Sequence, residues 1–320
     1  MNETNRNGLR NRSLRKSGGK TQSPDPGTHH SMLIRIADIT IALLSDDPKL
    51  KVGAEGVIKN FVVYEGEPDI EIKARWGNLP RESHGRKVFD SGSPWQLYSD
   101  NGSYIFRFTS PAFGASPYKI ASFNRDFTKG EVSINRSYYD VDQYVNPIEC
   151  PLDEVLLANY LTQRGKGIEI HASGVVDSLG KGYLFVGQSG AGKTTMARLW
   201  EDELGIKVLG HDRIILRKID NTVWMYRTPW QSEPMSASSA CVPLKAIYIL
   251  EKAQKNQVIS QTPTKSITRL FACSFPPFYN PDALNFTLGF LEQVVKNVPT
   301  YELRFTPDKS AVECIRDNKK

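Results

Sequence analysis

A chain of 320 residues with 39% hydrophobic and 10% aromatic content is long enough for two domains, or one large one, with real cores. Its net charge of +6 is concentrated at the front: residues 1–31 carry six Lys/Arg against Glu3 and Asp25, a surplus of +4, which leaves +2 for the rest. The basic balance is therefore largely a tail property and argues against nucleic acid as a partner. Cys150, Cys241, Cys273 and Cys314 lie too far apart for a disulfide frame or a zinc site, no apolar run is long enough to span a membrane, and the N-terminus lacks the apolar core of a signal peptide. The expectation is a cytoplasmic protein.

Residues 1–31 are rich in Asn, Arg, Ser, Gly and Pro, with almost nothing to bury, and are expected to be disordered. They read as an inert tail, or as an extension ahead of a start at Met32, before they read as a basic arm. Residues 32–147 carry strand signals. Ile34 and Ile36 alternate around Arg35, and Ile39 and Ile41 around Thr40, as one first β stretch. Phe61–Tyr64 and Ile70–Ile72 follow. The clearest hairpin runs from Trp95–Tyr98 through Ser99-Asp100-Asn101-Gly102 into Tyr104–Phe108, because Asn-Gly between alternating apolar runs suits a two-residue turn. Lys119–Phe123 and Glu131–Asn135 complete an expected antiparallel, β-rich domain of about eight short strands. No phosphate loop, metal spacing or nucleophile pattern appears there, and His84 reads as a solvated loop residue. Docking of a substrate or partner is the natural role.

Pro147 and Pro151 mark a break, and Leu152, Val155, Leu156, Ala158 and Leu161 then outline an apolar helix face closed by Gly165 and Gly167. Ile168–Val176 reads as one bent strand or two short ones. Tyr183–Val186 is a short apolar strand that runs into Gly187-Gln188-Ser189-Gly190-Ala191-Gly192-Lys193-Thr194-Thr195, a G-x-x-x-x-G-K-T phosphate loop. A helical pattern through Met196, Leu199, Trp200 and Leu204 follows, so strand, glycine loop and helix stand in the order the site needs. The glycines turn successive N–H groups inward as an anion nest at a helix N-terminus. Lys193 is expected at the β- and γ-phosphates and Thr194 on Mg²⁺. The bland alternative is an ordinary glycine turn before a core helix, which the context disfavours.

Ile206–Leu209 is a further apolar run that ends close to Asp212, as a buried strand would deliver a carboxylate to the metal that Thr194 also holds. Strands at 223–226, 246–250 and 301–305 and helices at 266–273, 287–297 and 310–316 make residues 148–320 an α/β unit.

Four pieces line up: His171, the loop at 187–195, His211-Asp212 and Thr228-Pro229-Trp230. On His171–Val176, Phe185–Thr195, Leu209–Arg213 and Thr228–Trp230, with Phe275–Phe278 and Tyr301–Phe305 beside them, the chain resembles the HPr serine kinase family, and within it the branch found in peptide-modification gene clusters. The resemblance covers about 148–316. It implies a P-loop fold akin to HPr kinase and phosphoenolpyruvate carboxykinase, preceded by a variable β-rich front half. It implies transfer of phosphate from ATP, with Mg²⁺, to a Ser or Thr hydroxyl of a peptide or small protein.

Residue by residue, the resemblance implies that Gly187, Ser189, Gly190, Ala191, Gly192, Lys193, Thr194 and Thr195 hold the nucleotide and that Thr194 and Asp212 hold the metal. The family carries Asp-Asp where this chain has His211-Asp212, so the position that deprotonates the acceptor is a histidine here; a neutral imidazole can take a proton near neutral pH. His171 matches the family's motif histidine and can bond the phosphate or the aspartate. Glu233 stands near a family glutamate whose preceding Gly is Ser232 here. The kinases it resembles form hexameric rings, which points to self-association, and some run the reverse, phosphorylase reaction. The rival reading is a nucleotide-binding, peptide-recognising protein that has lost transfer, with His211 as the feature in its favour. No N-K-x-D motif appears, so a GTPase ranks last.

Overall fold

The computed structural model describes residues 30–81, 85–92, 94–114, 116–140, 142–203, 205–231 and 240–317. The expectations for the tail before residue 30, His84, Leu204 and Glu233 lie outside the described residues. Among those described, no helix is long and apolar enough to cross a membrane.

The front half is one nine-stranded sheet in the order β3-β1-β2-β4-β9-β8-β7-β6-β5. Its strands are β1 (Ser31–Ile36), β2 (Ile39–Ser45), β3 (Val62–Val63), β4 (Ile70–Trp76), β5 (Arg86–Asp90), β6 (Trp95–Asp100), β7 (Ser103–Phe108), β8 (Lys119–Phe123) and β9 (Lys129–Ile134). Period-two patterning sets its faces: Ile70, Ile72 and Ala74 of β4 are buried while Lys73 and Arg75 are exposed. The Asn101-Gly102 turn forms as expected, with both residues at positive φ.

Two features differ from the sequence reading. The first β stretch is a hairpin, closed by Ala37 and Asp38 at φ 51° and 55°. The turn is held from outside: Tyr226 Oη donates to Asp38 Oδ2 at 2.6 Å and Arg217 Nη1 to the Ala37 carbonyl at 2.6 Å. The sheet is also mixed rather than antiparallel. β4 runs parallel to both β2 and β9, because the long crossover at 46–69 and the β5–β8 hairpins intervene between these neighbours.

Helix α1 (Leu152–Gln163) lies across this sheet. Leu152, Leu156, Leu157, Tyr160 and Leu161 share one core with Ile72, Phe106, Phe123 and Val132. Its opposite side is covered too, so Asp153, Asn159 and Thr162 are also buried. A helix enclosed all round has no single apolar face, which is why one-face periodicity described it only in part.

The second half alternates β10 (Ile168–Val176), β11 (Gly182–Val186), α2 (Lys193–Glu201), β12 (Lys207–Gly210), β13 (Arg213–Ile219), β14 (Thr222–Arg227), β15 (Cys241–Lys252), β16 (Gln257–Ser260), α3 (Pro263–Phe271), α4 (Pro281–Asn297), β17 (Thr300–Phe305) and α5 (Ser310–Asp317). β10 is a single strand: its first half pairs with β13 and its second with β11 and β12. β15 joins β14 at one end and runs parallel to β11 and β17 at the other. β11 is buried on both faces. Tyr183 and Phe185 pack with Met196, Trp200 and Tyr248, while Leu184 and Val186 pack with Ile247, Leu270 and Leu291. That explains its unbroken apolar run. The whole is a mixed α/β protein with two large sheets.

Candidate functional site

β11 delivers the chain into the glycine loop, and α2 begins at Lys193 with Gly192 as its N-cap at φ 99°. A Cβ at Gly192 would lie 2.7 Å from the Phe305 ring, so conformation and space both demand glycine. The loop borders a cavity of about 440 Å³ formed with Gly187, Ser189, Gly190, Ala191, Glu251 and Arg269. Lys193 Nζ donates to the carbonyls of Gly187 at 2.9 Å and Gln188 at 3.1 Å. Burial holds its ammonium below the ordinary lysine range, opposed by the charge of Asp212. Thr194 is half-buried and Thr195 exposed in the first helical turn.

Asp212 sits in the turn between β12 and β13. Its Oδ1 is 2.8 Å from His171 Nε2 and its Oδ2 accepts from Arg213 Nη1 at 2.9 Å. The hydrogen bond from His171, helped by the Arg213 and Lys193 charges against the cost of burial, holds the carboxyl below the usual range, so it stays ionised. The turn is fixed from β10 by three residues of one face, spaced by two. Ser173 Oγ donates to the His211 carbonyl at 2.6 Å, His171 takes the Asp212 side chain, and Glu169 Oε1 is 3.2 Å from Arg213 Nε. Gln231 closes the other side. Its Oε1 accepts from the His211 N–H at 2.6 Å and the Asp212 N–H at 3.3 Å, and its Nε2 donates to the Arg213 carbonyl at 2.9 Å and Thr228 Oγ1 at 2.8 Å.

Asp212 also borders a second cavity, of about 620 Å³, walled by both halves of the chain: Glu55 and Tyr144 on one side, Glu149, Asp153 and Glu154 at the junction, and Trp230 on the other. Asp153 is buried, and desolvation pushes its carboxyl up to about 7, against the pull of the Trp230 indole and the Glu154 N–H. His211 is only 3% exposed and borders neither cavity.

The structure thus brings His171 and Asp212 into contact, with Lys193 close enough to feel the Asp212 charge, and puts the loop residues around the first cavity. Sequence reading passed over Arg213, Glu154, Glu169 and Gln231. Glu169 was visible as the same-face neighbour of His171 two positions earlier on a strand. Gln231 was not, because its role depends on how the chain folds back after Trp230.

The donors fit a nucleoside triphosphate with magnesium. The loop offers N–H groups, a helix N-terminus and one ammonium, while Thr194 and an ionised Asp212 are hard oxygen donors of the kind Mg²⁺ takes beside phosphate and water. Among the described residues, no group of three or more His, Cys, Asp or Glu is placed to hold a metal by itself.

No family model and no curated protein matches the chain. Among solved structures, the Hpr(Ser) kinase/phosphatase from Coxiella burnetii matches over 47% of this chain and 95% of its own, at 12% identity and a TM-score of 0.29.

Proposed function

We propose that the chain is an ATP-dependent phosphotransferase that phosphorylates a Ser or Thr hydroxyl of a peptide or small protein. The observation that carries this reading is the placement of Asp212. It borders the cleft between the two halves while standing within electrostatic reach of the phosphate-loop lysine. Residues 148–320 form the transfer unit and 32–147 help to dock the acceptor. The loop from Gly187 to Thr195 binds the phosphates, with Lys193 moving from its own loop carbonyls to the β- and γ-phosphates. Thr194 and Asp212 would hold Mg²⁺, which supplies charge neutralisation on the transferring group. The acceptor oxygen enters from the cleft, bonds to the γ-phosphorus as the bond to the ADP oxygen breaks, and loses its proton to the His171 imidazole, whose cation the Asp212 carboxylate stabilises.

One observation favours a second reading, nucleotide-dependent peptide recognition without transfer: His211, at the position of the acceptor base, is buried. Label transfer from γ-labelled ATP with Mg²⁺ to Ser-containing peptides separates the two. The expected result is label on Ser or Thr that disappears in Lys193→Ala and Asp212→Asn. Transfer undiminished in Lys193→Ala refutes the assignment, and nucleotide binding without transfer to any acceptor supports the second reading.

A further inference from the structure

A third cavity, of about 230 Å³, lies on the far side of Glu154 from the acceptor cleft. Its walls are aromatic: Phe89, Trp95, Phe275, Phe278 and Tyr279, with Phe89 5.2 Å from Trp95 and 5.8 Å from Tyr279 between ring centroids. Its acidic wall is Glu154, whose side chain is 21% exposed, with Glu169 directly behind it at 1% and hydrogen-bonded to it. One guanidinium, that of Arg213, faces Glu169 at 3.2 Å, Glu154 at 3.1 Å and Asp212 at 2.9 Å, three carboxylates to one cation. Burying an ionised carboxyl this way is costly unless a proton or a further positive group joins it.

We propose that this cavity takes a basic side chain, Arg or Lys, of the acceptor peptide. The lining selects for it. An anion would meet Glu169 and Glu154, and a purely apolar side chain would cover an already underpaired carboxyl with hydrocarbon. A basic side chain lays an apolar stem along the aromatic rings and puts its charge against the Glu154–Glu169 pair, with cation–π attraction from the walls. The site already holds one such arrangement, since the Arg213 guanidinium lies 4.2 Å over the Phe275 ring. Desolvation, with the Glu154 charge and a hydrogen bond to Glu154 against the pull of Arg213, pushes the Glu169 carboxyl well above the usual range, so a proton is favoured there, and a basic side chain takes that proton's place. Asp212 and Glu169 occupy opposite ends of one guanidinium, so an extended peptide at ~3.3–3.6 Å per residue places the basic residue about one or two positions from the acceptor hydroxyl.

The inference rests on the reading of the Asp212 cleft as the acceptor site, but its test needs no nucleotide. Binding is measured by calorimetry for the peptides Ac-Gly-Gly-Ser-Gly-Gly-NH₂ carrying Arg, Lys or Gln at each of the two positions on either side of Ser. At the best position the Arg or Lys peptide is expected to bind about tenfold tighter than its Gln counterpart. That preference is expected to fall to about twofold or less in Glu169→Gln and in Phe278→Ala, the second a change at a ring that is 57% exposed and whose loss leaves folding intact. Equal or absent binding of basic and Gln peptides overturns the proposal, as does a preference that survives both variants. Basic-peptide binding without label transfer leaves this inference standing and removes the kinase reading; transfer with no basic preference does the reverse.

Discussion

The Gln231 amide is the outer clamp of the Asp212 turn, and its removal has a calculable cost. In Gln231→Ala the His211 N–H loses its 2.6 Å acceptor and the Asp212 N–H its 3.3 Å acceptor. The Arg213 carbonyl keeps a partner, because Thr228 Oγ1 also donates to it at 2.8 Å. The net damage is therefore one deeply buried orphan donor, at a residue 3% exposed, plus one donor near the cleft that water can reach. A stranded buried N–H costs about 1–3 kcal/mol, so a loss of about 2 kcal/mol is expected. In a chain of this size, at ~2.1 cal/mol/K of unfolding entropy per residue, that lowers Tm by about 3 °C. Urea unfolding with an unchanged m-value checks it. Gln231→Glu keeps the acceptor oxygen but sets a carboxylate against the carbonyls of Arg213 and Thr228, and should lose at least as much. A Gln231→Ala protein within about 0.5 kcal/mol of wild type would refute the claim that this amide pins the turn.

Other consequences follow from buried charge. The folded-state carboxyl of Asp212 is depressed, so its stabilisation is present above the unfolded value of about 4 and is lost as pH falls through the folded value; Asp212→Asn should flatten the acid limb of the stability–pH curve below about pH 4 and abolish label transfer while leaving nucleotide binding. Asp153 has the opposite sign. With its carboxyl raised to about 7, folding stability declines between about pH 4 and 7, by at most about 4 kcal/mol, and Asp153→Asn should remove that decline in denaturant titrations across the range. Lys119 is 1% exposed and paired with Glu149 at 3.1 Å. Lys119→Met should fall within about 1 kcal/mol of wild type or above it, whereas Glu149→Ala, which strands the buried ammonium, should cost about 3 kcal/mol or more on equilibrium unfolding.

Legibility in the sequence tracked how local the cause was. The glycine loop is fixed by residues adjacent in the chain, and the Asn101-Gly102 hairpin by its own turn chemistry, so both were readable. Ala37-Asp38 was not, because Ala37 does not favour positive φ even though Asp38 tolerates it; Tyr226 and Arg217, far along the chain, hold that turn. The parallel pairings of β4 escaped for the same reason, since crossovers leave no trace in strand composition. α4 begins at Pro281 rather than near Thr287 because Asn280 caps it, its side chain accepting from the Asp282 and Ala283 N–H groups, a signal that was present in the sequence. Within the site, the resemblance gave His171 a bond to the phosphate or to the aspartate, and the structure shows the contact with Asp212. Arg213, quoted only as the end of a matching stretch, was given no role, although it links Asp212 to Glu154 and Glu169.

β10 explains why that contact is robust. Residues 169, 171 and 173 point to one face, and Arg213 lies directly opposite His171 in the antiparallel ladder. Three successive same-face side chains therefore meet three successive residues of the turn in reverse order: Glu169 with Arg213, His171 with Asp212, Ser173 with His211. The other face, Ile168, Ile170 and Ala172, is packed into the core with Ile214 and Leu216. A slip of one residue would put those apolar side chains on the turn and the polar ones in the core, so the core itself enforces the register. The position of Asp212 is thereby set by sheet pairing and not by loop conformation. On the proposed reading, the carboxylate that would hold the metal, the wall of the acceptor cleft and the acidic wall of the aromatic cavity are therefore all positioned by one strand, so a peptide seating a basic side chain there would be aligned by the same strand that aligns Asp212.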